Sequence, residues 1–318
     1  MKKITLLLFI FSLISCKKER ATIAFDNSII KDTILNIIIR PVHPDLLSEK
    51  SDSVKLYYQK LNFHEIWYLE ENRKDLINEI KFCYREGLNP EDYEIKIIED
   101  LESKRAQLKD EEIVKYDILL TETFEKLAHH LHSGKLNPKE LYNDWDLKPK
   151  EIALSSLLQE AIKGKTIAST FKELKPKHLV YQLLKKSLFE IDKLPNISFQ
   201  KIEVKGKIIV NDTLPEMVKI KNRLAYWKDY KNKDSLVTWA YDSITLKAVK
   251  RFQSRHGLAP DGVIGIGTLK ALNTSKSERM EQIFANLERW RWFPEDLGEH
   301  FLIANIPDYN LCYVIKND

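Results

Sequence analysis

Apolar residues recur at helical spacing along most of this chain, and the runs are separated by glycine, proline and asparagine. Val54, Tyr57, Tyr58 and Leu61 share one helical face, and Leu76, Ile77, Ile80 and Tyr84 share a second that Gly87 ends. Asn89-Pro90-Glu91-Asp92 reads as a turn followed by a fresh helix start. Ile113, Tyr116, Leu119, Leu120, Phe124, Leu127 and Leu131 make a third stripe, closed by Ser133-Gly134. Leu154, Leu157, Leu158 and Ile162 make a fourth before Gly164, and Leu179, Leu183, Leu184 and Leu188 a fifth. The pattern predicts an all-α body over residues 51–194.

Further along, Leu246, Val249, Phe252 and Gln253 occupy one helical face, and Gly257 stops that helix. Asp261-Gly262 suits a tight turn that needs a positive φ, and Gly265 and Gly267 loosen the backbone before Leu269 and Leu272 resume an apolar stripe. The period then changes from helical to alternating. Phe301, Ile303 and Asn305 alternate with Leu302, Ala304 and Ile306, Pro307-Asp308 makes a turn, and residues 311–315 supply a second β run. Asn317-Asp318 reads as the opening of another turn. An isolated two-stranded hairpin is marginal and leaves open edges, so the expectation is a chain that stops inside a β domain.

At the other end, Lys2 and Lys3 precede an apolar run, residues 4–14, far short of the ~20 residues that span a bilayer. That is a signal segment. Leu13-Ile14-Ser15-Cys16 resembles a lipobox, which implies acylation of Cys16 as the first mature residue and a membrane contact through the lipid. Lys17-Lys18-Glu19-Arg20 follows as a charged spacer, and the expected location is the cell envelope, on the periplasmic side or the cell surface.

Composition narrows the chemistry. The chain has 318 residues and 43% hydrophobic content, enough for a large core without disulfide staples, so Cys83 and Cys312 are expected to be buried free thiols. A formal net charge of +4, with no basic block standing apart from acidic neighbours, is too small to argue for nucleic acid, and no nucleic-acid partner is expected. Neither cysteine has a nearby histidine in sequence to lower its pKa, so no catalytic residue is assigned. His129, His130 and His132 lack an H-E-x-x-H pattern, and a helix C-terminus suits imidazoles, so no metal and no cofactor are assigned. Trp290, Trp292 and Phe293 can stack on sugars or wedge two domains together, and the junction before Pro294 favours the wedge. His256 can touch a ligand or close its helix, and both readings stay open.

The order Phe-Gln, His-Gly-Leu, Asp-Gly-Val-Ile-Gly and Thr-Leu within residues 242–273 resembles the small three-helix peptidoglycan-binding module. An ordinary helical hairpin shares the periodicity and the glycines but not that order. The resemblance implies peptidoglycan as a partner and Phe252, Gln253, His256, Asp261, Gly262, Gly265 and Thr268 as its binding residues. A wider resemblance runs over residues 50–318. Tyr57-Tyr58-Gln59-Lys60-Leu61-Asn62-Phe63, Glu86-Gly87-Leu88-Asn89-Pro90-Glu91-Asp92-Tyr93, Leu131-His132-Ser133-Gly134-Lys135-Leu136-Asn137-Pro138 and Asn286-Leu287-Glu288-Arg289-Trp290-Arg291-Trp292-Phe293-Pro294 are similar to the YcbB-like L,D-transpeptidases.

That family implies a mainly α fold, with a helical scaffold domain, a three-helix peptidoglycan-binding module and, here, a terminal short β-hairpin. The expected boundaries are 1–16 signal peptide, 17–50 spacer, 51–200 scaffold, 210–275 module, 276–300 connecting helix and 301–318 the start of a truncated β catalytic domain. The family's chemistry is acyl transfer through a cysteine in a Ser-x-Gly-Cys context, which this chain lacks. Three functions follow as expectations: the non-catalytic front of an L,D-transpeptidase, a stand-alone peptidoglycan-binding lipoprotein, or the non-catalytic part of a wall hydrolase.

Overall fold

Ser51 caps the first α-helix of the computed structural model, which describes residues 38–164, 167–231, 238–305 and 310–315. The apolar run 4–14, Cys16, the Pro307-Asp308 turn and Asn317-Asp318 lie outside the described residues. The Ser51 hydroxyl accepts from the Val54 N–H at 3.2 Å, which satisfies one of the four donors a helix start leaves open.

The scaffold contains α1 (Asp52–Lys60), α2 (Glu70–Phe82), α3 (Ile95–Ser103), α4 (Asp110–Ser133), α5 (Pro138–Leu141), α6 (Leu154–Gly164), α7 (Ile167–Leu174) and α8 (Leu179–Asp192). The 24 residues of α4 make it the longest helix described, and α1, α2, α3, α6 and α7 all pack against it. Its stripe residues Tyr116, Leu120, Phe124, Leu127 and Leu131 are buried, and Phe124 meets Phe171 of α7 edge-on with centroids 5.1 Å apart.

One carboxylate inside this apolar packing ties a loop down. Asp117 on α4 accepts from the Tyr58 hydroxyl at 2.7 Å and from the backbone N–H groups of Ile66 at 2.9 Å and Trp67 at 2.6 Å. Thr121, one turn on, accepts from Trp67 Nε1 at 3.0 Å. The segment after α1 therefore cannot lift from α4 without stranding a buried carboxylate.

The chain then passes to α9 (Glu216–Tyr226), α10 (Ser243–Arg255) and α11 (Ile266–Asn273), which hold a separate hydrophobic core of Met217, Ile220, Leu224, Tyr241, Val249, Phe252, Ile264 and Leu272. It returns along α12 (Lys276–Trp292), begun by a capping box between Ser275 and Glu278. Two antiparallel strands close the described chain, β1 (His300–Asn305) and β2 (Asn310–Ile315).

The seam between α8 and α12 has its own core of Tyr181, Leu188, Ile283 and Leu287. Here the fifth predicted stripe is corrected. Leu184 and Leu188 do turn to α12, joined there by Tyr181 and Ile191, but Leu179 and Leu183 are 73% and 51% exposed. A run of leucines on both sides of a helix leaves its buried face to be chosen by the partner.

The end of α12 is keyed into the scaffold at two glycines. Gly87 has φ +75°, and a Cβ there would lie 3.1 Å from Phe284 Cδ1. Gly134 has φ +93°, and a Cβ would lie 2.6 Å from Trp292 Nε1. Arg291, fully buried, donates to Glu288 Oε2 at 2.8 Å, to the Glu86 carbonyl, and to the Tyr181 hydroxyl at 3.3 Å. Tyr181 and Lys185 in turn donate to Glu86 at 2.8 and 2.5 Å. Trp292 is buried and meets Trp145 edge-on at 5.5 Å, so it serves as the wedge.

In the hairpin, register pairs Phe301 with Val314, Leu302 with Tyr313 and Ile303 with Cys312. Cys312 is exposed, which corrects the expectation of a core thiol; among the described residues no second layer covers the two strands.

Candidate functional site

Gln253 is the centre of the three-helix unit. It is 1% exposed on α10, and its amide is shared among the loop that leads to α11. Its Nε2 lies 3.0 Å from Asp261 Oδ1, 3.0 Å from the Val263 carbonyl and 3.2 Å from Thr268 Oγ1. Its Oε1 accepts from the Gly262 N–H at 2.9 Å. Asp261 also accepts from the Val263 N–H at 2.8 Å, and the Tyr241 hydroxyl donates to the Gly262 carbonyl. Gly262 has φ +83°, and a Cβ there would collide with the Leu246 side chain.

Of the seven residues assigned from the resemblance, Phe252, Gln253, Gly262 and Thr268 are thus buried together and shape the loop from within. Asp261 and Gly265 reach the surface, and His256 is half-buried. The His256 ring stacks on Phe252 with centroids 4.0 Å apart, and its Nδ1 lies 2.7 Å from the Phe252 carbonyl. Burial lowers its pKa below the usual 6.5, so the ring is neutral at pH 7 and completes the end of α10.

The helix that pattern reading passed over, α9, builds a second surface of the same unit. Lys219, Asn222, Arg223 and Tyr226 face the segment 195–200 across an open groove of about 660 Å³. Arg223 is 4% exposed, its guanidinium sits 4.1 Å from the Phe199 ring centroid, and Nη2 donates to the Gln200 carbonyl at 3.3 Å. Tyr226 meets Phe199 edge-on at 5.0 Å and donates to the Pro195 carbonyl at 3.1 Å. Lysine, arginine and tyrosine at positions 219, 223 and 226 are spaced for one helical face, the signal by which sequence could have found them.

The two described cysteines differ in their settings. Burial, with Asp92 adding to it, pushes the Cys83 thiol up to about 12, so it stays protonated at neutral pH. Cys312 pairs with Ile303 on the hairpin face opposite the one that carries His300, whose ring stacks on Tyr313 and whose Nδ1 lies 2.9 Å from the Tyr313 hydroxyl. On α4 the His129 and His130 ring centroids lie 6.1 Å apart, His130 Nδ1 contacts the Tyr93 hydroxyl at 2.8 Å and His129 is exposed.

Two family models match this chain. Residues 52–188 match the Scaffold domain, of the kind found in L,D-transpeptidases, and residues 213–272 match the peptidoglycan binding domain. No curated protein matches the chain. Among the described residues no helix is long and apolar enough to cross a membrane. A transpeptidase-type scaffold region and a peptidoglycan-binding domain thus stand in one chain, with peptidoglycan as the partner and the cell envelope as the setting.

Proposed function

We propose that this chain is the wall-gripping, non-catalytic front of a YcbB-like L,D-transpeptidase, tethered to a membrane through acylated Cys16. The observation that carries this reading is the seating of α12. The helix that leaves the peptidoglycan-binding unit seats Phe284 and Leu287 against Gly87, Glu288 and Trp292 against Gly134, and Arg291 on the Glu86 carbonyl, the two glycines belonging to phrases that resemble the family. Wall binding and scaffold are thereby coupled through one helix whose far end leads directly to the hairpin.

In this reading the chain binds peptidoglycan and transfers nothing. Acyl transfer to cysteine needs a thiolate beside an imidazole, whereas Cys83 is held as a thiol and Cys312 lies on the face away from His300. A purified chain starting at Lys17 should sediment with peptidoglycan sacculi and leave a pool of disaccharide tetrapeptides unchanged. Failure to sediment, or the appearance of cross-linked dimers, overturns the proposal. The tether has its own check. Radiolabelled palmitate should enter the full chain in a bacterial host and be lost in Cys16→Ala.

A further inference from the structure

We propose that the groove between α9 and the segment 195–200 takes a carboxylate of a peptidoglycan stem peptide, with Arg223 as its principal partner. The inference rests on the wall-binding reading above and goes further by naming the part of the polymer held and the residues that hold it.

Arg223 is the starting point. A guanidinium carries five N–H donors in a fixed fork, and burying it is costly unless an anion and hydrogen-bond acceptors compensate. Among the described residues Arg223 makes no ion pair, its Nη2 has one backbone carbonyl, and its Nε has no partner although the atom is buried. Compare Arg291, which is more deeply buried and shares an unpartnered Nε, yet has the Glu288 carboxylate at 2.8 Å. Compare also Arg255, whose fork rests on Asp229 at 3.1 and 2.5 Å. Arg223 is thus a buried cation placed on a groove wall with donor capacity left over.

Its surroundings favour an anion and a peptide. The groove lining includes Lys219 and Lys228 and no Asp or Glu; Glu190 stands 3.7 Å from Lys228 outside that lining, so Arg223 and Lys219 carry most of the positive field. Lys219 is one helical turn before Arg223 on the same face, and Asn222 adds an amide that can both donate and accept. Ile197, Phe199 and Tyr226 supply an apolar wall beside these charges. A polar head with an aliphatic neighbour fits that combination, as in the free α-carboxylate and methyl groups of an alanine-containing stem. Arginine is the residue suited to grip a planar carboxylate through two parallel N–H donors, and Phe199 under the guanidinium holds the fork in plane.

The test uses the chain from Lys17 onward and a soluble disaccharide tetrapeptide, followed by calorimetry. Arg223→Gln and the double variant Lys219→Glu with Lys228→Glu should each weaken the complex about 10- to 100-fold, the range for loss of a charge-assisted contact. The lysines are exposed, so the double variant keeps its fold whether or not Arg223→Gln does. The same tetrapeptide with its carboxylates amidated should bind the unaltered chain as weakly as the native tetrapeptide binds the variants. Unchanged affinity in the double variant, equal binding of the amidated ligand, or full displacement by an equal concentration of inorganic phosphate overturns the assignment. If the unaltered chain sediments with sacculi while any of these occurs, the groove inference fails alone. If it does not sediment, the wall-binding reading fails first.

Discussion

Glu288 Oε1 accepts the backbone N–H of Lys135 at 2.6 Å, although 153 positions separate the two residues. The same oxygen accepts from the Leu136 N–H at 2.8 Å and from Trp292 Nε1 at 3.1 Å. A single carboxylate on α12 therefore closes the turn that ends α4, and its second oxygen neutralises Arg291.

Removing that carboxylate leaves three donors and a buried guanidinium without their acceptor. Glu288→Ala is expected to destabilise the scaffold by about 3–5 kcal/mol, the cost of breaking a buried charge pair from one side. Urea denaturation followed by tryptophan fluorescence measures this, and a loss below about 1 kcal/mol would place the pair among surface ion pairs.

Two glycines with positive φ separate backbone strain from close approach. Gly257 has φ +65° with nothing within 4 Å of an added Cβ, whereas Gly134 would meet the Trp292 ring and Glu288. Gly257→Ala should cost about 1–2 kcal/mol from the left-handed conformation alone. Gly134→Ala should cost at least about 1 kcal/mol more, because overpacking adds to the strain. Thermal melts of the two variants decide it, and equal shifts would mean that α12 yields freely.

His130 makes stability depend on pH. Burial lowers its pKa from 6.5 to about 4, with the charges of His129 and Lys126 adding to the effect. Between those values the unfolded chain binds more protons than the folded one, so stability rises with pH. The contribution is fully present above 6.5 and is lost as pH falls through about 4. In His130→Asn the same acid-side slope should be shallower. Subtracting the two stability curves measured from pH 4 to 7.5 isolates the effect, and a flat difference would refute it.

The two described cysteines should differ sharply toward alkylation. In a chain starting at Lys17, iodoacetamide at pH 8 should label exposed Cys312 within minutes and leave Cys83 untouched until the scaffold is unfolded. Mass spectrometry of the peptides reads both sites. Early labelling of Cys83 would mean that its pocket opens readily.

Much of this architecture was legible before any coordinates. Periodicity alone locates α1, α2, α4, α6 and α10, since an apolar stripe at 3.6 spacing has to be covered, and alternation marks the hairpin. Gly87, Gly134, Gly257 and Gly262 stand where the sequence places breaks, and each has positive φ. What covers a stripe is a different matter. Leu179 and Leu183 match their neighbours in type, yet only the arrival of α12 on the other side decides that they face water. The same holds for Cys312, apolar by its surroundings in sequence and exposed because no layer lies over it among the described residues. Phe252, Gln253 and Thr268, which the resemblance implies as binding residues, are buried in the fold, where the Gln253 amide lies 3.0 Å from Asp261 and 3.2 Å from Thr268. Arg223 shows the converse, since nothing in its neighbours along the chain reveals that Phe199 and Gln200 enclose it. Local spacing along a chain determines which helices and turns form, because those depend on residues a few positions apart. Which side of each helix is dry, and which charge is left without a counterion, depends on partners a hundred positions away.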